Sequence, residues 1–522
     1  HPTPSPQRLL WRQKLWTAKD PHVNREVARI IAKHSNKRAN VQANAQNRAF
    51  RSWMKLKSEI RAKLRKLEIN RTCEEKARDK ELEAKLNQAQ DEQDWLKARQ
   101  ELRENQEEEM KEKAKRAGIT YDLFSELPSS YVSGRLKSAK EASWMHQIRD
   151  TQTGKIARNT HEILEVLANY YEKLYESNPD NEGDTGTHAQ MLENVGLRLT
   201  IEQQSELDAP ITEQEVLEAI QSTDPNKSPG PDGLRGAFYR THAHSLAPLL
   251  TGAFNDLLER PEGCFPTSFK AGLITLIYKK KGDPTVPENW RPITLLNVDY
   301  KIMTKIINNR IKKYLPDLIA PYQSGFVPGR WMVDNQITLA MAMEAAAKGA
   351  LTGGQLPMVT LYDLQKAFDS VSHSAIERTL EKLRFPPRIK STIMNLLHNP
   401  RARIMTNNAV SRELTLKRGT RQGDPLSPTL FILAIEVLSR SIAGDSDIRG
   451  LNIGLASPED RVKILLFADD IAILANSPED AIKRDHHIRN FCKATGARIN
   501  EAKTNILLPG LPKHKEEIGK PN

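Results

Sequence analysis

Apolar positions follow two rhythms along this chain, a strand rhythm of short runs and a helical rhythm of three and four. Over 462–474 two short apolar runs flank the step Ala468-Asp469-Asp470, which predicts strand, tight turn and strand. A β-prone run from Met358 to Tyr362 ends on Asp363 and leads into a helical stretch over 374–383. The segment 401–417 reads as a hairpin. Ser427 followed by Pro428 has the form of an N-cap with proline at the first helical position, predicting a helix over 429–442. Ser477-Pro-Glu-Asp starts another helix, and Gly496 ends it. Nearer the N-terminus, 160–175 is an amphipathic helix preceded by a turn at 150–154, while the Asn, Asp and Gly of 178–187 predict a loop.

A different texture covers 23–117, which is highly charged, nearly free of Pro and Gly, and dense in helix formers. Trp53, Leu56, Ile60, Leu64 and Leu67 fall on one helical face, predicting a long helix or helical hairpin whose simplest form is a solvated amphipathic one. Coiled-coil self-association would need that seam to continue for three to four heptads, and the spacing degrades past Cys73. The first twenty residues read as an unanchored arm or as the exit from a preceding segment.

Charge changes the picture next. With 522 residues, 78 Lys and Arg against 66 Asp and Glu, and a formal charge of +12, the chain favours a polyanionic partner, a nucleic acid or an anionic membrane. No stretch reaches the ~20 apolar residues of a spanning helix, and no signal-peptide core opens the chain, so a soluble intracellular protein is expected. Cys73, Cys264 and Cys492 form no CxxC pair, which argues against a disulfide framework or zinc finger. Because the chain starts at His1 and closes on a polar tail, it is expected to be a fragment of a longer product.

Asp469 and Asp470 in isolation would be ordinary turn residues. At the junction of two buried-type strands, however, they repel each other unless a cation neutralises them. If the strand ending at Asp363 lies beside that hairpin, three carboxylates make an oxygen-ligand cluster suited to Mg²⁺, with Mn²⁺ as a substitute. Two such ions serve nucleotidyl transfer, one at the attacking 3′ oxygen and one at the leaving pyrophosphate.

These segments, in this order, resemble motifs A and C of reverse transcriptases, specifically those of non-long-terminal-repeat (LINE-like) retrotransposons. The resemblance implies that Asp363, Asp469 and Asp470 are metal ligands and that Phe368 is the steric gate under the sugar. Asp369 also fits the pattern, with no ligand role assigned. Arg418-Gly-Thr-Arg-Gln422-Gly423-Asp-Pro resembles motif B, which implies Gln422 and Gly423 near the incoming nucleotide and Arg418 near template and primer. The run Leu273 to Gly282, with Asn289-Trp-Arg291-Pro, resembles a fingers hairpin, implying Lys280 and Arg291 as triphosphate contacts. Any single lysine of Lys279 to Lys281 is as easily a solvated hairpin tip. Gln323-Ser-Gly325-Phe-Val-Pro-Gly-Arg330 resembles the second fingers motif, implying template contacts at Gly325 and Arg330. Asn226 to Gly233 resembles an extra N-terminal motif of LINE-like and group II intron enzymes. Around Lys503 the chain is similar to motif D, whose lysine is a general acid for pyrophosphate.

The resemblance spans 211–508 and implies an α+β fold: a ferredoxin-like polymerase palm with fingers, preceded by a long charged helical region. The expected organisation is a helical arm (1–117), a helical linker region (118–210), an N-terminal extension with fingers (211–345), the palm (346–508) and a truncated tail (509–522). It implies an RNA template, a DNA primer and deoxynucleoside triphosphates as partners, no membrane, and nuclear work during retrotransposition. The thumb that follows motif D in the family and the endonuclease that precedes this region are expected to be missing. A viral RNA polymerase is disfavoured by Phe368, and a group II maturase by Phe467 and the Arg291-Pro-Ile-Thr-Leu-Leu string. From another class, an inert nucleic-acid-binding remnant or a coiled-coil scaffold fits the charge equally well.

Overall fold

The computed structural model describes residues 7–8, 11–39, 48–89, 91–102, 144–177, 183–261, 263–353, 357–453 and 461–509. The expected run at 103–117 and the tail beyond Pro509 lie outside the described residues.

Strand β1 (Gln7–Arg8) is followed by helices α1 (Pro21–Ala39), α2 (Arg48–Gln88), α3 (Thr160–Tyr175), α4 (Thr185–Glu193) and α5 (Ala243–Leu258). The N-terminal arm is fastened rather than free. Trp11 Nε1 donates to Glu68 Oε2 at 2.8 Å, Gln13 N–H donates to the Gly233 carbonyl at 2.9 Å, and Arg235 Nε donates to the Gln13 carbonyl at 2.6 Å. Gly233 has φ +80°, and a Cβ there would fall 2.3 Å from the Trp11 oxygen, so glycine is what lets the arm lie this close.

Helices α1 and α2 pair antiparallel, with Glu26 at 2.8 Å from Lys63 and His34 at 2.9 Å from Glu59. The stripe Trp53, Leu56, Ile60 and Leu64 is buried in the main core and α2 packs against α5. That cover removes the expected solvated or self-associating seam, because the same apolar face cannot serve two partners. One turn from Trp53, Lys57 is buried with its Nζ 2.8 Å from Asp232 Oδ2 and 2.7 Å from Asp299 Oδ2. Helix α3 covers the predicted residues, with Asn159 as its N-cap accepting from Glu162 N–H at 2.9 Å. The loop expected up to Thr187 ends sooner: Asp184 caps α4, and Thr185 already belongs to its first turn.

Further along the chain, the elements that frame the site are β2 (Gly272–Tyr278), β3 (Trp290–Leu296), α6 (Val298–Lys312), α7 (Met332–Gly353), β4 (Met358–Tyr362), α8 (His373–Lys382), β5 (Arg401–Thr406), β6 (Ala409–Thr415), α9 (Ser427–Gly444), β7 (Ile464–Phe467), β8 (Asp470–Ala475), α10 (Pro478–Thr495) and β9 (Asn505–Leu507). They make a mixed α+β fold with two principal sheets. One is antiparallel, in the order β7-β8-β4-β9. The other runs β1-β6-β5-β2-β3, antiparallel except for the parallel pair β2 and β5, and α3 packs on it. The 401–417 segment forms the expected hairpin, β5 with β6. It belongs to the second sheet, where Gly272 to Thr275 offer β5 a parallel edge.

Helix α9 is apolar enough on composition to cross a membrane, yet 78% of that window is buried inside the chain, which makes it a core helix. It starts two residues earlier than predicted. Ser427 is already helical, and Asp424 closes the entrance by accepting from Leu426 N–H at 3.1 Å through its side chain and from Ser427 N–H at 3.2 Å through its carbonyl.

Candidate active site

The β7–β8 hairpin turns in two residues, since Phe467 pairs with Asp470 and leaves Ala468 and Asp469 as the connection. Ala468 sits at φ +57°, a left-handed conformation that costs a non-glycine residue on the order of 1 kcal/mol. Gln323, fully buried, holds that turn: its Oε1 accepts from Ala468 N–H at 2.9 Å and from Gly325 N–H at 2.8 Å. A Cβ on Gly325 would lie 2.4 Å from Ala468 N. Arg330 wraps the same loop, donating to the carbonyls of Pro316 at 3.0 Å, Ile319 at 2.8 Å and Gln323 at 2.9 Å, and to that of Ala320. Gly325 and Arg330, expected at the template, therefore brace the turn from behind. Their donors and space are spent on the chain itself.

Strand β4 delivers Asp363. Tyr362 registers with Ile471, so the next positions outward are Asp363 and Asp470, side by side at the sheet end. Asn500 Nδ2 donates to Asp363 Oδ2 at 2.7 Å, its N–H donates to the Asp363 carbonyl at 2.7 Å, and Lys503 Nζ stands 3.8 Å from Asp363 Oδ2. Burial holds the Asp469 carboxyl above the usual carboxylate range, and the nearby charges of Asp470 and Asp363 add to this while Arg291 opposes it. Among the described residues no three such groups are already close enough to enclose an ion. The donor chemistry fits a hard divalent cation, and the crowded negative charge is what such a cation relieves; the carboxylates form a coupled set rather than a closed shell.

Phe368 stacks on Phe431 of α9 with ring centroids 4.4 Å apart. The loop that carries it is stitched to the 418–424 loop by Thr420 N–H to the Phe368 carbonyl at 2.6 Å and Gly419 N–H to the Val371 carbonyl at 2.8 Å. Gly423, at φ +111°, is packed so that a Cβ would fall 2.6 Å from the Thr294 carbonyl oxygen, and Thr294 N–H donates to the Gln422 carbonyl at 2.7 Å. The close approach that Gly423 permits is thus to β3. Arg418 is buried and donates to the carbonyls of Gly496, at 2.7 Å, and Ser370, and burial pushes its guanidinium down to about 10. An expected template contact is an internal strut, because its guanidinium faces backbone oxygens and not solvent.

Cations gather opposite the carboxylates. Arg291 on β3 is exposed and pairs with Ile277 of β2. Lys280 is exposed at the tip, at φ +56°. Lys279, which donates to the Glu288 carbonyl at 3.0 Å, is held below its ordinary value by burial, with Lys503 and Arg291 adding and Asp363 and Asp369 opposing. Lys366 is pushed down to about 8 by burial, with Lys279 adding, and its Nζ donates to the Trp290 carbonyl at 3.1 Å. Sequence reasoning passed over Lys366, Gln323 and Asn500. Lys366 lies between Asp363 and Phe368 in the chain, and only its left-handed φ of +48° explains how it turns back toward β3.

Residues 278–518 match the family described as "Reverse transcriptase (RNA-dependent DNA polymerase)". The chain is 34% identical over 324 residues to the "Transposon TX1 uncharacterized 149 kDa protein" of Xenopus laevis, covering 60% of this chain and 23% of that one. It is 29% identical to the "Retrovirus-related Pol polyprotein from type-1 retrotransposable element R2" of Popillia japonica, over 56% of this chain and 39% of the relative. Against the "RNA-directed DNA polymerase from mobile element jockey" of Drosophila melanogaster the identity is 27%, over 51% and 28%. The chain thus spans well under half the length of these relatives.

Proposed function

We propose that this chain carries a reverse transcriptase domain of the non-long-terminal-repeat retrotransposon kind and synthesises DNA on an RNA template by two-metal nucleotidyl transfer, copying a retroelement's RNA from a primer at its target. The sheet β7-β8-β4-β9 is assigned to a ferredoxin-like palm, since the chain order strand, helix, hairpin, helix, strand with the last strand beside the first is the split βαβ arrangement. The β2–β3 hairpin is assigned to fingers. In this reading 211–345 and 346–508 are the fingers and palm regions, the latter lending its β5–β6 hairpin to the other sheet. The nucleus is the proposed place of work.

The observation that carries the reading is the convergence at one sheet end: the register of β8 on β4 sets Asp470 beside Asp363, with Asp469 in the adjoining two-residue turn. Asp363, Asp469 and Asp470 would hold Mg²⁺, or Mn²⁺ in its place, which when bound supplies activation of the primer 3′ oxygen and charge neutralisation on pyrophosphate. Arg291, Lys279 and Lys280 bind the triphosphate, Arg291 by the fork geometry that suits phosphate. Phe368, backed by Phe431, occupies the floor under the sugar and excludes a 2′-OH. Lys503 Nζ holds the proton that the pyrophosphate takes up on leaving. The formal charge of +12 supports the nucleic-acid partners.

The test is primer extension by the purified chain with Mg²⁺, deoxynucleotides and an RNA template annealed to a DNA primer. Wild type is expected to extend, and Asp469→Asn to lose about a thousandfold or more of the rate. Equal rates for the two proteins would refute the ligand assignment.

A further inference from the structure

Asp369 is fully buried and outside the metal-ligand set, so its charge needs another purpose. Its Oδ1 accepts from the Tyr175 hydroxyl at 2.7 Å, and its Oδ2 lies 3.5 Å from Gln422 Nε2. The main chain around it is immobilised too. Asp369 N–H donates to the Lys366 carbonyl at 2.8 Å, and a Cβ on Gly419 would sit 2.4 Å from the Asp369 carbonyl oxygen. Gln422 is pinned through its carbonyl by Thr294, which leaves its side chain as the part still free to choose an orientation.

We propose that Asp369 is a positioning residue: fixed by Tyr175 on one oxygen, it holds the Gln422 carboxamide with the other and sets the pose in which Gln422 meets the incoming nucleotide. The inference rests on the polymerase reading above. An ionised carboxylate only accepts hydrogen bonds, whereas a carboxamide has a donating and an accepting end. Asp369 therefore selects Nε2 as the inward end and leaves Oε1 outward as an acceptor, on a residue that is itself half-buried at the site. Burial pushes Asp369 up to about 6, with the Tyr175 hydrogen bond, Lys366 and Lys279 opposing, so the acceptor-only form prevails at pH 8. Tyr175 lies on α3, outside the matched residues 278–518, so a helix preceding the family domain contributes to the nucleotide pose.

Replacing Asp369 by Asn breaks this logic with little change of shape. If the Asn oxygen keeps Tyr175, its NH2 faces the Gln422 NH2, and the carboxamide must flip. The test is steady-state primer extension by the full chain, comparing wild type, Asp369→Asn, Tyr175→Phe, Gln422→Ala and the Asp369→Asn/Gln422→Ala double variant. Asp369→Asn is expected to raise KM for the deoxynucleotide about tenfold with kcat within about threefold, and Tyr175→Phe to raise it about threefold. In the Gln422→Ala background Asp369→Asn adds nothing further, a coupling that a purely structural carboxylate would not give. An unchanged KM, or full additivity with Gln422→Ala, overturns the inference. If Asp369→Asn does not fold, by its thermal transition, the same cycle between Tyr175→Phe and Gln422→Ala decides in its place. A wild type that extends no primer overturns the polymerase reading and this inference together; an active wild type that Asp369→Asn matches overturns the inference alone.

Discussion

At Lys57 one ammonium lies within 2.8 Å of two buried carboxylates, Asp232 and Asp299, while at the end of the β7-β8-β4-β9 sheet Lys503 stands 3.8 Å from Asp363. Trp53 Nε1 adds a donor to Asp299 at 2.9 Å. Against burial, the two carboxylates hold Lys57 above its ordinary value, and burial together with Asp299 keeps Asp232 above its own. In that cluster both carboxylates meet the same ammonium by direct contact inside the chain. At the sheet end the carboxylates crowd one another, and the cations stand off or are tied to carbonyls. A structural charge cluster therefore differs from a site in where its contacts go: the first spends its cation on carboxylates of the same chain, and the second leaves charge to be met by something that arrives later.

The sharpest way to break this contrast is at Lys57. Lys57→Met leaves two carboxylates buried without their cation and is expected to cost about 3–5 kcal/mol in denaturant unfolding. A loss near zero would mean that the buried cluster is no more structural than the other one. Second in size is a pH effect at Asp369, whose carboxyl rises from 3.8 to about 6 on burial. A raised carboxyl contributes stability that is complete below about pH 4 and is lost as pH rises through about 6, a swing on the order of 3 kcal/mol. Asp369→Asn should therefore melt higher than wild type at pH 8, with the order converging or reversing at pH 4.5; parallel melting curves against pH would rule this out. Smaller again is Phe368→Val, which should admit ribonucleotides about tenfold more readily, roughly 1.4 kcal/mol, measured as the ratio of ribo- to deoxynucleotide kcat/KM. Unchanged sugar selectivity would remove the gate. Least in size is the stability change of Asp469→Asn, a slight rise in thermal midpoint because one of three crowding charges is gone. A marked fall would place Asp469 with Lys57, among charges the fold requires.

Much of the local structure was legible in the chain. The Phe467 to Asp470 hairpin, the helix that Asn159 caps and the helix from Ser477 to Gly496 follow from caps and periodicity, which act within a few residues. The parallel pairing of β2 with β5 did not, because register across more than a hundred residues leaves no local mark. At the site, residue types were read more reliably than directions. The motif resemblance implied template or primer contacts for Arg418 and Arg330, yet an arginine has five donors and loop carbonyls claim them as readily. Lys57 was hidden for the opposite reason, as one lysine among many on a charged helix whose burial depends on Asp232 and Asp299.

The Lys57 cluster also sets a clock on the newborn chain. Lys57 precedes Asp299 by 242 positions, so at ribosomal rates of about 5–20 residues per second the ammonium waits roughly 12–50 s for its second carboxylate. During that interval the apolar stripe of α2 has no α5 to lie against until residues 243–258 have also emerged, and it resembles a client for a holding chaperone more than a finished helix. Expression temperature and translation speed, neither visible in the folded molecule, should then govern how much of this protein reaches its native state.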